Sequence, residues 1–91
     1  MNMKPIIFAV PEDNVEYSIR YDAASDWIYT EKWDMTQSPH PTKISEWSSA
    51  GWSSMGSESR ANYRDTVHQS TGIDINVLQA ALTLINHMKA E

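Results

Sequence analysis

The first part of the chain carries the alternating apolar and polar positions that are typical of β-strands. Residues 15–22 alternate strictly between the two classes, which is the period-two pattern of a strand with one wet face. A short apolar run over residues 4–10 precedes this strand, and residues 26–35 follow it with large apolar side chains at alternate positions. We therefore predict three β-strands that form an antiparallel meander.

The third strand sets the predicted inner face of this meander. Its large apolar side chains share one face: Trp27, Tyr29, Trp33 and Met35. We predict that Trp27 and Trp33 lie in the core between the sheet and the C-terminal helix. Glu31 falls on the same face, where a buried carboxylate without a partner is costly. Two explanations stay open: a β-bulge or a strand end near Thr30 turns Glu31 outward, or Glu31 binds a cationic side chain of a partner.

Residues 37–56 form a connection rich in proline, serine and tryptophan. Pro39 and Pro41 push the residues before them out of the helical region, so the meander should end there. The pattern after them admits a short extra helix over residues 42–50, which Gly51 would end.

Two tryptophans, Trp47 and Trp52, fall in a segment where seven of the fifteen residues from 45 to 59 are serine. Such a composition favours a loop. Each tryptophan either folds back over the sheet as a lid on the core or serves as an exposed binding anchor, because tryptophan is enriched at binding hot spots.

Two helices are predicted in the C-terminal part. The first begins with Ser57 as its N-cap and runs to about Thr71, where Gly72 stops it. The second covers Ile75–Lys89, with Asp74 as its N-cap. Its apolar positions occupy more than half of the circumference, so it should pack on two sides. The sheet covers one side, and the first helix or a second copy of the chain covers the other.

These elements predict a single α+β domain over residues 1–91, a three-stranded antiparallel meander packed against two helices. It divides into the meander (1–36), the connection (37–56) and the helical part (57–91). Four tryptophans and a hydrophobic content of 41% supply a core without metals or disulfides, and the chain has no cysteine. The start Met-Asn-Met-Lys and the absence of a long uninterrupted apolar run predict a soluble cytoplasmic protein without a membrane role.

The net charge of −5 is concentrated in the meander. Residues 12–34 carry seven acidic and two basic side chains, whereas the rest of the chain carries five of each. A local negative field of this kind repels nucleic acid and attracts basic partners. We predict that six of these acids converge on one side of the sheet: Glu12, Asp13, Glu16, Asp22, Asp26 and Asp34. The predicted partner-binding residues are these six together with Glu31 and Trp52.

The sequence contains no glycine-rich phosphate loop, no paired metal-ligand spacing and no nucleophile elbow. His40, His68 and His87 lie at spacings that place no two of them on one helical face. We therefore expect a protein that is not an enzyme and that uses neither a cofactor nor a metal.

Arg60, Arg64 and His68 form a basic stripe on the first predicted helix, because they are spaced by four residues. The stripe could bind an anion such as the phosphate backbone of a nucleic acid. The alternative is that the two arginines pair with the neighbouring acids Glu58 and Asp65 or with the acidic meander.

These features favour a protein-binding module, a small acidic inhibitor that docks on a basic, nucleic-acid-binding surface of a larger partner. In size, acidity and lack of cysteine the chain is similar in type to phage anti-defence proteins such as anti-CRISPRs and to toxin-immunity proteins, although no particular stretch of residues carries this likeness. A phage-encoded protein would act in the host cytoplasm. Two alternatives stay open: a nucleic-acid-binding regulator that uses the basic stripe, and a structural phage subunit. A homodimer through helix 75–89 would suit the regulator.

Overall fold

A computed structural model describes residues 6–9, 13–36 and 39–89, with side chains described for 13–36 and 39–87. Along the chain lie β1 (Ile6–Ala9), β2 (Val15–Asp22), β3 (Trp27–Asp34), β4 (Thr42–Ala50), a 3₁₀ turn (Trp52–Ser54), α1 (Ser57–Thr71) and α2 (Ile75–Lys89). The strands follow one another in chain order across the sheet, and each neighbouring pair is antiparallel. The predicted α+β fold, with a meander of β1 to β3 followed by two helices, is confirmed.

The predicted short helix over residues 42–50 is wrong, because this segment forms the edge strand β4. Pairing with β3 along its whole length overrides the local helical pattern. The register slips once: Lys32 pairs with Ser45 and Trp33 with Lys43, which leaves Ile44 as the extra residue of a bulge. The bulge predicted near Thr30 is wrong, because Thr30 and Glu31 pair regularly with both neighbouring strands. Glu31 faces outward through the register of β3 as a whole.

Two of the three predicted capping residues of α1 and α2, Gly72 and Asp74, are confirmed, and the third, Ser57, is wrong. Ser57 is the first helical residue and not the N-cap; Gly56 holds that position without a side-chain hydrogen bond. Gly72 ends α1 as predicted, at a φ of 75° that favours glycine. Asp74 caps α2 as predicted, since its Oδ1 accepts the backbone N–H groups of residues 76 and 77 at 2.8 and 3.2 Å.

Both helices pack on one face of the sheet, called here the inner face. The core on this face combines side chains of β2, β3, the 3₁₀ turn, both helices and the loop between the helices. Its buried members are Tyr17, Ile19, Tyr21, Ile28, Trp52, Val67, Ile73, Leu78, Ala81, Leu82 and Ile85. The alternation predicted for β2 is thus confirmed, with its odd-numbered residues directed towards the helices.

The prediction that Trp27 and Trp33 lie in this core is wrong by one step of the β3 register. The turn over residues 23–26 pairs Asp22 with Trp27. Directly paired residues point to the same face, so Trp27 joins the polar row of β2. β3 instead directs Ile28 and Thr30 inward, and both are fully buried, whereas Trp27 is 37% exposed.

Tyr63 on α1 joins this helix to the sheet. Its hydroxyl donates to the Trp47 carbonyl at 2.8 Å and lies 2.9 Å from Thr30 Oγ1, which satisfies the buried threonine. Burial raises the pKa of Tyr63 to about 12. The neutral phenol is therefore the form that the folded protein favours.

The raised pKa of Tyr63 predicts a loss of stability in alkali. An unfolded tyrosine ionises near pH 10, so the contribution of Tyr63 is fully present below roughly pH 10 and is lost as the pH rises towards about 12. The expected loss is about 2–3 kcal/mol of the free energy of unfolding, measured by urea unfolding between roughly pH 8 and 12. Tyr63→Phe, although less stable at pH 8, should show a correspondingly shallower decline. Equal declines in the two proteins would contradict the assignment.

Candidate binding face of the sheet

The face of the sheet opposite the helices, called here the outer face, is the candidate functional site. The register places on it alternate side chains of three strands: Glu16, Ser18, Arg20, Asp22, Trp27, Tyr29, Glu31, Trp33, Lys43 and Glu46. In the described part of the chain both helices lie on the inner face. The outer face therefore presents aromatic and charged side chains that neither described helix covers.

A buried carboxylate anchors the charges of the outer face. The Glu31 side chain is 5% exposed, and its two oxygens accept hydrogen bonds from different cations. Arg20 Nε donates to Oε1 at 3.1 Å, and Lys43 Nζ donates to Oε2 at 3.4 Å. Lys43 also donates to Glu46 at 2.8 Å, and this bond is the main cause that raises the pKa of Lys43. The network holds charges from three strands in fixed positions.

An aromatic row lies beside this network. The rings of Trp27 and Tyr29 are 6.1 Å apart and nearly parallel, at 19°. The guanidinium carbon of Arg20 lies 4.0 Å from the centre of the Tyr29 ring, in cation–π contact. Because each ring is held by its neighbour, the row can contact a partner with little further loss of side-chain entropy.

A groove of about 490 Å³ runs along the outer face. The residues that line it include Glu16, Ser18, Arg20, Glu31, Trp33 and Met35. The indole N–H of Trp33 donates to Ser18 Oγ at 3.0 Å, which orients this aromatic wall. A mostly apolar groove with a few fixed charges suits an aliphatic or aromatic side chain that has a polar tip.

The predicted convergence of the acids on one side of the sheet is only partly correct. Glu16 and Asp22 lie on the outer face, and Asp13 is exposed in the turn before β2. Asp34 pairs with Val15 and thus belongs to the opposite face. Glu12 lies outside the described residues.

Asp34 and Asp26 have local structural partners. Asp34 accepts hydrogen bonds from the N–H and hydroxyl of Thr36, which lower the pKa of Asp34. Asp26 lies in the turn between β2 and β3 at a φ of 61°. Its carboxylate accepts the hydroxyl of Tyr21 together with the N–H and hydroxyl of Ser53, at 3.0 and 2.7 Å. Asp26 therefore joins this turn to the 3₁₀ turn instead of facing a partner.

The other two predicted binding residues also have partners within the chain. Glu31 does not share a face with the core; it lies on the outer face, where Arg20 and Lys43 bind it. Trp52 is fully buried, so it belongs to the core and is no exposed anchor. Trp47 is half-buried and packs against the core. This position agrees with the first of its two predicted roles, a side chain that covers the core.

Each side chain of the basic stripe on α1 makes a polar contact within the chain. Arg60 donates from Nη2 to the Trp52 carbonyl at 2.7 Å and does not pair with Glu58. Arg64 pairs with Asp65 at 2.9 Å, as one of the two alternatives predicted. The ring of His68 hydrogen-bonds to the carbonyl of residue 73. These contacts use only part of the hydrogen-bonding capacity of the two arginines, because Arg60 Nε makes no hydrogen bond and Arg64 uses three of its five N–H groups.

Seven side chains of the outer face were missing from the predicted site: Ser18, Arg20, Trp27, Tyr29, Trp33, Lys43 and Glu46. Arg20 stands in the polar row of β2, and the length of the turn over residues 23–26 decides which row of β3 lies beside it. Counting this turn in the sequence would have placed Trp27 and Tyr29 on the outer face. Lys43 joins the site only through β4, which the sequence pattern did not reveal.

No protein-family model, curated protein or solved structure matches this chain. Among the residues that the structure describes, no three histidine, aspartate or glutamate side chains are grouped so that they could hold a metal ion. Neither α1 nor α2 is long and apolar enough to cross a membrane.

Proposed function

We propose that this protein is a non-enzymatic binding module whose outer face docks on a basic surface of a larger protein. The observation that carries the proposal is the pre-ordered row of Trp27, Tyr29 and Arg20 on a sheet face that neither described helix covers. Tryptophan, tyrosine and arginine are the residues most enriched at binding hot spots.

The charge of the outer face favours a basic partner. Among the residues that the structure describes, its four carboxylates, Glu16, Asp22, Glu31 and Glu46, outnumber its two cations, Arg20 and Lys43. The whole chain has a net charge of −5. Arginine or lysine side chains of a partner can stack on the Trp27 ring and approach Glu16 in the groove.

A nucleic-acid-binding surface of another protein is the partner that fits this chemistry best. Such surfaces are rich in lysine and arginine because they neutralise phosphates. We therefore propose a role of the anti-defence or immunity type, in which the module blocks an enzyme of nucleic acids in the cytoplasm. Direct binding of nucleic acid is disfavoured, since the excess of carboxylates on the outer face and the net charge of −5 repel phosphates.

Self-association through α2 stays a separate prediction. Among the side chains of α2 that the structure describes, Val77 and Leu84 are large, apolar and exposed, at 44% and 52% exposure. They lie seven residues apart, on one side of the helix. Both belong to the helical side of the molecule, so substitutions there leave the outer face unchanged.

A matched pair of charge reversals tests the proposed docking face. Glu16→Lys places a positive charge in the groove, whereas Glu58→Lys makes the same change on α1. We expect Glu16→Lys to slow association with a partner captured from the host by about tenfold at low salt, because electrostatic steering is lost. Glu58→Lys should change the rate less than about threefold.

Stopped-flow or surface-based kinetics at two salt concentrations would measure both rates, with circular dichroism as the control for folding. Equal slowing by the two reversals would mean that only the net charge matters. If only Glu58→Lys slowed association, the docking surface would lie on the helical side of the molecule and the proposal would be rejected.

A further inference from the structure

A second cavity lies on the helical side of the molecule, between the 3₁₀ turn, α1 and α2. Its volume is about 630 Å³, and two arginines one helical turn apart, Arg60 and Arg64, are part of its wall. Ser57, Gln79 and Asn86 add a hydroxyl and two amides to this wall. The cavity contains none of the residues of the outer face, so it is independent of the proposed docking.

The charge of Arg60 has no carboxylate partner in the described part of the chain. Its guanidinium stacks on the Trp52 ring, 4.7 Å from the ring centre, and donates from Nη2 to the Trp52 carbonyl. Its Nε is buried and makes no hydrogen bond. A half-buried guanidinium with an unsatisfied donor lacks the charge-assisted bonds that would compensate its desolvation.

Arg64 adds a second cation whose donors are only partly used. Its Nε and Nη2 bind Asp65, and its Nη1 donates to Gln79 at 2.7 Å. A guanidinium has five N–H groups, so two of them remain for a ligand. Gln79 is in turn held by Thr83, so the position of the Arg64 side chain is well defined.

We propose that this cavity binds a small oxyanion, a carboxylate or a phosphate monoester, through the guanidinium groups of Arg60 and Arg64. Planar guanidinium groups match the oxygens of both anions, and charge-assisted hydrogen bonds are the stronger ones. The amide and hydroxyl groups of the wall can satisfy the remaining oxygens of the ligand. The anion supplies the counter-charge that Arg60 lacks.

Glu58 also lines the cavity, and its negative charge is expected to lower the affinity for an anion. As an exposed carboxylate near the two arginines, it repels an incoming anion. Removing its charge should therefore tighten binding, whereas removing the charge of Arg64 should weaken it. A purely structural role for these side chains predicts neither change.

The test is a titration of the isotopically labelled protein with inorganic phosphate and, separately, with acetate, at an ionic strength held constant with sodium chloride. Two-dimensional spectra of the arginine Nε–H groups report on both guanidiniums directly. We expect saturable shifts of the Arg60 and Arg64 signals, with a dissociation constant on the order of 1 mM for the preferred anion. The anion that saturates at the lower concentration identifies the ligand class.

Three variants complete the test. Arg64→Gln should weaken binding about tenfold, and Glu58→Gln should tighten it about threefold. Lys43→Gln, which removes the same charge from the outer face, should leave the affinity within about twofold of the parent. The absence of saturation with both anions, or equal losses in Arg64→Gln and Lys43→Gln, would overturn the proposal; the latter would indicate an adventitious effect of net charge.

Discussion

Replacing Trp52 by alanine is expected to lower the free energy of unfolding by about 3–5 kcal/mol. Trp52 is fully buried and joins three parts of the fold. Its indole N–H donates to Asn86 of α2 at 3.0 Å, its ring meets Tyr63 edge-on at 5.7 Å, and Arg60 stacks on its face. The substitution therefore leaves a cavity and unsatisfied polar groups in the same place.

Urea or thermal unfolding of the two proteins would measure the loss. Small domains have only about 5–15 kcal/mol of stability, so the variant should be marginally folded at room temperature. Trp52→Phe is the control, because it keeps most of the buried area and loses the hydrogen bond to Asn86; we expect a loss of about 1–2 kcal/mol. A loss below about 1 kcal/mol for Trp52→Ala would contradict the role of Trp52 in the core.

Replacing Trp27 by alanine is expected to do the opposite: binding is lost while the fold remains. Trp27 is 37% exposed and stacks only on Tyr29 among its described ring contacts. The stability should fall by no more than about 1 kcal/mol. Affinity for the partner should fall by about thirtyfold or more, which is the loss typical of a hot-spot tryptophan.

The same unfolding measurement and a binding isotherm with the purified partner would check both parts. Gln69→Ala is the surface control, since Gln69 is exposed on α1, away from the outer face. A loss of about 3–5 kcal/mol in Trp27→Ala would restore the register that the sequence pattern suggested. Unchanged affinity would exclude the aromatic row from the partner interface.

The strength of the local signals explains which elements could be predicted. Apolar and polar residues alternate along β2 without exception. This pattern, typical of a strand with one solvent-facing side, was sufficient to predict the strand. α2 combines an Asp74 cap with a broad apolar surface, and its bounds, Ile75–Lys89, agree with the prediction. In both elements local pattern and tertiary packing favour the same structure.

β4 could not be predicted because its inner row offers little apolar surface. The half-buried positions are Ser45, Trp47 and Ser49, and serine gives no hydrophobic signal at period two. Ile44 and Trp47 instead stand at helical spacing, which suggested a helix. Only pairing with β3 decides between the two, and that information is not local.

The site was predicted in part, because its acids were visible in the sequence but its geometry was not. The choice of inner face for β3 assumed that the largest side chains lie inside. The length of the turn over residues 23–26 instead pairs Asp22 with Trp27. Every side chain of β3 therefore lies on the face opposite to the one predicted. As a result Thr30, a polar residue, is buried against Tyr63, and Trp27 is exposed on the outer face.

The most direct test of the docking proposal is a parallel capture from a host lysate with three immobilised proteins. These are the parent, the outer-face variant Trp27→Ala/Trp33→Ala, and the control variant Val77→Ala/Leu84→Ala, which removes two exposed apolar side chains from α2. We expect a basic protein that the parent retains at low salt to be retained by the control as well, to be lost on the outer-face variant and to be released by about 0.5 M salt. Retention on the outer-face variant together with loss on the control would contradict the docking proposal and would assign binding to α2.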